Sequence, residues 1–155
     1  MLKRSAGLLL WRRRPDGVEV LLGHPGGPLF ARRDDGVWSV PKGEYPADEP
    51  PLEAAYREFA EELGTAPPDG HPVHLGDVVL RSGKVVTVFA QEGDLDPAEA
   101  HSNLFTMEWP PRSGQLRQFP ELDRVGWFDL PTARVKLAER QRPFLDRLAA
   151  AVHGG

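Results

Sequence analysis

No cysteine occurs among the 155 residues, which rules out disulfides, thiolate zinc sites and thiol nucleophiles together. No apolar run approaches the roughly 20 residues of a membrane helix. The basic start, Met1 to Arg14, holds an apolar stretch from Ala6 to Trp11 that is too short for a signal-peptide core. Internal repeats, heptads and low-complexity tracts are missing as well. A net charge of −4 argues against a broad nucleic-acid-binding surface while leaving room for a local basic pocket. The expectation is a cytoplasmic protein, monomer or homodimer, with no membrane and no nucleic acid polymer as partner. What is present, 40% hydrophobic and 27% charged residues, is ordinary globular composition. The length fits one domain, 1–155, around one core.

Residues 3–11 and 18–22 are apolar runs around a polar turn, Arg14-Pro15-Asp16-Gly17, and predict a hairpin. Residues 73–80 and 84–91, split by Ser82-Gly83, predict a second. The stretch 93–120 reads as irregular, and 123–130 as one more strand. Beyond it the pattern predicts helices over about 131–139 and 142–151, interrupted near Pro143 because an interior proline loses a backbone bond. Strands with a few separate helices point to an α/β fold, a mixed sheet with helices packed against it.

Between Gly43 and Gly64 stand seven carboxylates (Glu44, Asp48, Glu49, Glu53, Glu58, Glu61, Glu62) and one cation, Arg57. Asp48-Glu49-Pro50-Pro51 is a helix start and Gly64 a stop, which predicts a helix over about 51–63. Leu52, Ala55, Tyr56, Phe59 and Leu63 follow its apolar period. Glu58, Glu61 and Glu62 fall beside that stripe. Glu58 and Glu62 form a like-charge i, i+4 pair that costs a few tenths of a kcal/mol in water and more when partly buried. A divalent cation would turn that cost into ligation; a solvated acidic face is the plain alternative.

The spacing discriminates between them. Gly43, five residues, Glu49, seven residues, then Arg57-Glu58-Phe59-Ala60-Glu61-Glu62-Leu63-Gly64 resembles the Nudix hydrolase signature at every position but the last, where Thr65 replaces an aliphatic residue. The resemblance implies a Nudix α/β/α sandwich that cuts a phosphoanhydride by attack of water, with Mg²⁺ or Mn²⁺ as cofactor. Carried over by position, it makes Glu58, Glu61, Glu62 and the Gly43 carbonyl metal ligands. Arg57 orients a ligating glutamate, Glu49 supports, and Glu108 or Glu121 is a candidate to complete the site. Trp38 to Glu44, "WSVPKGE", resembles the entry to this motif in hydrolases of diadenosine and diphosphoinositol polyphosphates. That resemblance makes Lys42 and Lys84 candidate phosphate contacts, with Arg32, Arg33 and Arg81 adding positive charge. The partner it implies is a small nucleotide or polyphosphate, a dinucleoside polyphosphate first. No tyrosine follows Tyr56, so the adenine-stacking tyrosine of many such enzymes is absent. A MutT-like housecleaning nucleoside triphosphate pyrophosphatase and a non-catalytic nucleotide-binding Nudix module are the alternatives.

Overall fold

The computed structural model describes residues 3–153; the first and last two residues of the expected 1–155 domain lie outside them. Its centre is β1 (Arg4–Arg14), whose Leu8-Leu9-Leu10 run is buried on both faces. Side chains alternate across a strand. Ala6, Leu8 and Leu10 therefore meet one helical layer, and Leu9 and Trp11 the other. A continuous apolar run is what a strand covered on both faces requires.

β2 (Gly17–Pro25) returns antiparallel to β1 through the predicted turn, with Arg14 opposite Gly17. β3 (Lys42–Glu44) pairs with the other end of β1, placing Ala6 opposite Gly43. β4 (Val73–Val79) and β5 (Val85–Glu92) form the second predicted hairpin, and β5 lies parallel to β1 over eight residue pairs. β8 (Leu122–Asp129) closes the order β4-β5-β1-β2-β8, with β3 beside β1. The sheet is mixed, as expected.

One face is covered by α1 (Pro51–Leu63), whose Ala54, Ala55, Phe59 and Leu63 pack on Ala6, Leu8, Leu10 and Leu21. Truncating a buried aromatic such as Phe59 to alanine costs about 3–5 kcal/mol. The other face is covered by α2 (Leu130–Lys136) and α3 (Pro143–His153), which supply Ala133, Phe144, Leu145 and Leu148 to the second core. The α/β/α sandwich is thus present.

Two expectations are corrected. Residues 93–120 are not irregular throughout: β6 (Leu104–Glu108) and β7 (Leu116–Pro120) form a separate antiparallel pair, with Phe105 opposite Phe119. The first C-terminal helix stops at Lys136, not near residue 139, because residues 136–138 turn to pair with Trp38. The Trp38 N–H donates to the Lys136 carbonyl at 3.0 Å and the Ala138 N–H to the Trp38 carbonyl at 2.9 Å. Pro143 opens α3, a position where its missing N–H costs nothing. Among the described residues no helix is long and apolar enough to cross a membrane.

Candidate active site

The sheet fixes two backbones against each other. Residues 38–41 are held by the Leu8 N–H on the Pro41 carbonyl (3.2 Å) and by the Val40 N–H on Oε1 of Gln141 (3.0 Å). From there β3 runs along β1 and brings Gly43 under α1. A Cβ on Gly43 would fall within 2.0–2.6 Å of the carboxyl carbon and both oxygens of Glu58, so any side chain there must displace that carboxylate from its present place. Gly64 ends α1 at φ 71°, in the left-handed region that glycine adopts freely, with its N–H on the Ala60 carbonyl at 2.8 Å.

The buried face of α1 is rotated from the one its apolar spacing suggests. Ala54, Ala55, Glu58, Phe59, Glu62 and Leu63 are buried, while Leu52 and Tyr56 are only partly so. Glu58 and Glu62 therefore belong to the packed face, at 9% and 8% exposure; Glu61 lies outside, with 43% of its side chain exposed. Burial, disfavouring the charged form, raises the Glu58 carboxyl, and neighbouring Glu61 adds to it while Arg57 opposes. The same cause pushes Glu62 up to about 8, against the opposing Lys42 N–H and ammonium. The charges of Glu58 and Glu121 push Glu62 in the same direction as burial.

Arg57 organises the carboxylates. Its Nε and Nη2 grip Glu49 bidentately at 2.9 and 2.8 Å, and Nη1 reaches Glu58 at 2.8 Å and Glu61 at 3.2 Å. Such fork-to-carboxylate pairs are directional as well as strong. The Glu49 carboxyl is held below its ordinary range by that contact, and Arg57 is raised by it. Glu62 instead accepts from the Lys42 backbone N–H at 3.1 Å. With Arg57 between Glu58 and Glu61, no three metal-binding side chains converge among the described residues. The donor set still suits a hard divalent cation. It is all oxygen, two of its carboxylates are buried and raised by that burial, and Gly43 leaves space where any side chain would intrude.

The lysines expected here come together. Burial holds the Lys42 ammonium below its ordinary value; nearby Lys84 adds to that, and Glu62, Glu44 and Glu58 oppose it. Lys84 lies 3.8 Å from Glu44, and Lys3 reaches the same carboxylate at 3.9 Å. Glu44, half exposed, is thus a counter-charge between two cations. Arg32 and Arg33 lie exposed on the loop between β2 and β3, with the Arg33 guanidinium 5.6 Å from the Phe30 ring. Neither pairs with a carboxylate of the motif among the described residues. Arg81 pairs with Glu139 at 3.7 Å instead.

The C-terminal half of α1 is bonded to the segment that follows β5. The Asn103 N–H donates to the Glu61 carbonyl, the Glu121 N–H to the Asn103 carbonyl, and the Gly26 N–H to the Glu121 carbonyl, at 3.0, 2.9 and 3.0 Å. Glu121 thereby stands near Glu62. Glu108 lies out on β6, its carboxylate accepting from the Arg112 N–H at 2.9 Å. A cavity of about 150 Å³ opens beside Glu62, lined also by Ser102, Leu122 and Val125.

Residues 1–148 match the description of the NUDIX domain. The chain belongs to this family. Part of the Nudix chain, 65 residues or 42% of it, is 45% identical to 34% of an RNA pyrophosphohydrolase of Gluconacetobacter diazotrophicus. Another 111-residue match, 70% of the chain, is 34% identical to 28% of an octanoyltransferase of Myxococcus xanthus. The chain spans about a third of the length of the curated relatives it matches. Among solved structures, an Ap4A hydrolase of C. elegans in a binary complex superposes with a TM-score of 0.68 at 20% identity. That match covers 97% of this chain and 99% of the other, a likeness of Nudix fold.

Proposed function

We propose that this Nudix domain, taken as one unit over 1–155, is a metal-dependent pyrophosphohydrolase that cuts a phosphoanhydride in a nucleoside diphosphate-linked substrate, a dinucleoside polyphosphate such as diadenosine tetraphosphate first among them. The observation that carries the reading is the pair of buried carboxylates, Glu58 and Glu62, set against Gly43 and clamped through Arg57 to Glu49. Glu58, Glu61, Glu62 and the Gly43 carbonyl would hold Mg²⁺ or Mn²⁺. Bound there, the ion supplies Lewis-acid polarisation of phosphoryl oxygen and a more acidic water. Arg57 keeps Glu58 and Glu61 oriented toward one another, and one of the glutamates takes the proton of the attacking water. Lys42 and Lys84 offset phosphate charge at the same edge of the site. Their proximity to each other favours a substrate with several phosphates, and the C. elegans fold neighbour, named an Ap4A hydrolase, supports that choice.

The test is a substrate panel with Mg²⁺ and Mn²⁺: diadenosine polyphosphates, ADP-ribose, normal and oxidised nucleoside triphosphates, and diphosphoinositol phosphates. Hydrolysis is expected to be fastest on the dinucleoside polyphosphates and to fall about a hundredfold or more in Glu61→Gln and Glu62→Gln. Preference for oxidised triphosphates would select the housecleaning alternative, and tight nucleotide binding without turnover the non-catalytic one. Near-normal turnover in both variants overturns the assignment of the site.

A further inference from the structure

His24, at the end of β2, has no exposed surface. Its Nδ1 lies 2.8 Å from Oδ1 of Asp123 and its Nε2 2.6 Å from the backbone carbonyl oxygen of Arg33. Both partners are acceptors. A neutral imidazole has one donor nitrogen and one acceptor nitrogen, so it satisfies one partner and sets lone pair against lone pair at the other. The imidazolium donates in both directions. Asp123, a third exposed, supplies the opposite charge, and a buried cation persists when it is both paired and hydrogen-bonded.

The ring's other surroundings fit this state. Trp38 meets it edge-on at 5.2 Å between centroids. Arg124 of β8 lies 5.3 Å over the Trp38 ring, and the Trp38 Nε1–H donates to Asp34 at 2.7 Å. Lys136 of α2 occupies the other oxygen of Asp34 at 2.7 Å. The more distant charged groups are thus engaged with Trp38 or with each other, and among the described residues Asp123 alone pairs with the ring as a charge.

The bonds of His24 join three segments. Pairing between β2 and β8 is irregular here: His24 stands opposite Arg124 and Pro25 opposite Leu122, leaving Asp123 as the extra residue, and a bulge of this kind re-aims a side chain. The Arg33 carbonyl belongs to the loop between β2 and β3. We propose that His24 is a buried imidazolium and a positioning residue: paired with Asp123 and donating to the Arg33 carbonyl, it sets the loop that carries Arg32 and Arg33 against the start of β8, beside the cavity at Glu62. The positioning of substrate rests on the hydrolase reading above; the protonation of the ring does not.

Asp123→Asn separates charge from hydrogen bonding, because an asparagine amide donates to Nδ1 and leaves a neutral ring to donate from Nε2 to Arg33. Imidazole nitrogen NMR on the full chain at pH 7.5 is expected to show both ring nitrogens of His24 protonated in the wild type, and Nδ1 unprotonated in Asp123→Asn. Amide exchange at Arg33 and Gly36, bonded to Phe30 and Val135, is expected to rise about tenfold in Asp123→Ala and to stay near wild type in Asp123→Asn. With diadenosine tetraphosphate, Asp123→Ala is expected to raise KM about tenfold and leave kcat within about twofold, with Asp123→Asn restoring KM. A wild-type ring with one bare nitrogen overturns the imidazolium. Unchanged loop exchange in Asp123→Ala overturns the positioning; should that variant not fold, loss of loop protection in a folded Asp123→Asn whose ring is neutral does so instead. A doubly protonated ring in a protein that hydrolyses nothing in the panel leaves the ion pair standing and removes the hydrolase reading.

Discussion

Glu62→Gln tests the central carboxylate without any substrate. The fold holds the Glu62 carboxyl at about 8 where an ordinary glutamate sits at 4.5, chiefly through burial. The disfavoured form is the ionised one. Stability contributed by this carboxyl is therefore fully present below about 4.5 and is lost as pH climbs through about 8. The gap corresponds to a ceiling of about 5 kcal/mol, and we expect about 2 kcal/mol of it to survive water penetration and local relaxation. In a domain of this size that is roughly 4–8 °C in Tm. The assay is calorimetric melting in EDTA at pH 5 and pH 8.5. Wild type is expected to lose about 4–8 °C relative to Glu62→Gln on going to the higher pH, since glutamine keeps an oxygen for the Lys42 N–H and has nothing to ionise. Millimolar Mg²⁺ at pH 8.5 is then expected to restore the wild type and not the variant, because only the ionised carboxylate gains by ligation. Melting curves of wild type and variant that shift in parallel between the two pH values would refute the reasoning.

Gly43→Ala drives a methyl into the Glu58 carboxylate; a loss of about 1–3 kcal/mol in denaturant titration is expected, together with loss of turnover, and a fully active, equally stable variant would contradict the packing. Arg57→Lys keeps the charge but removes the two-pronged grip on Glu49. Since lysine does not replace a bidentate arginine, kcat is expected to fall about tenfold or more while the Tm moves little, which steady-state kinetics and melting together will show. Lys84→Ala is expected to raise KM for polyphosphates more than for short diphosphates, and an equal effect on both would remove Lys84 from the substrate site.

Much of the fold was legible in local chemistry. The bounds of α1 followed from Pro51 and Gly64, and the two hairpins of the main sheet from short turns between apolar runs. The β6–β7 pair was not, because its strands are short and mostly exposed and the segment between them, "WPPRSG", reads as a breaker. The early stop of α2 was hidden for a different reason: its competitor for backbone bonds, Trp38, lies about a hundred residues earlier in sequence. Within the site, the motif placed Gly43, Glu49, Arg57, Glu58, Glu61 and Glu62 near each other, and the structure adds which of them are buried. That difference has a trace in the sequence, since Ala54, not Leu52, extends the packed stripe toward Glu58 and Glu62. Lys84, outside the motif, lies close enough to Lys42 for its charge to lower the Lys42 ammonium further. His24 and Asp123, 99 positions apart, carried no shared signal, because a lone histidine and an exposed aspartate acquire meaning only when a bulge brings them together.

The divided pairing of β1 bears on how the chain is made. Every residue of the motif has been synthesised by Gly64, yet the strand that Gly43 leans on still lacks its parallel neighbour β5, which ends at Glu92. Parallel pairing at that separation is slow to form, and until it does Leu8, Leu9 and Leu10 present an open, apolar edge. A nascent chain or truncated fragment holding the complete motif is thus expected to be sticky and catalytically silent, and its capture of metal to begin only when the second hairpin docks.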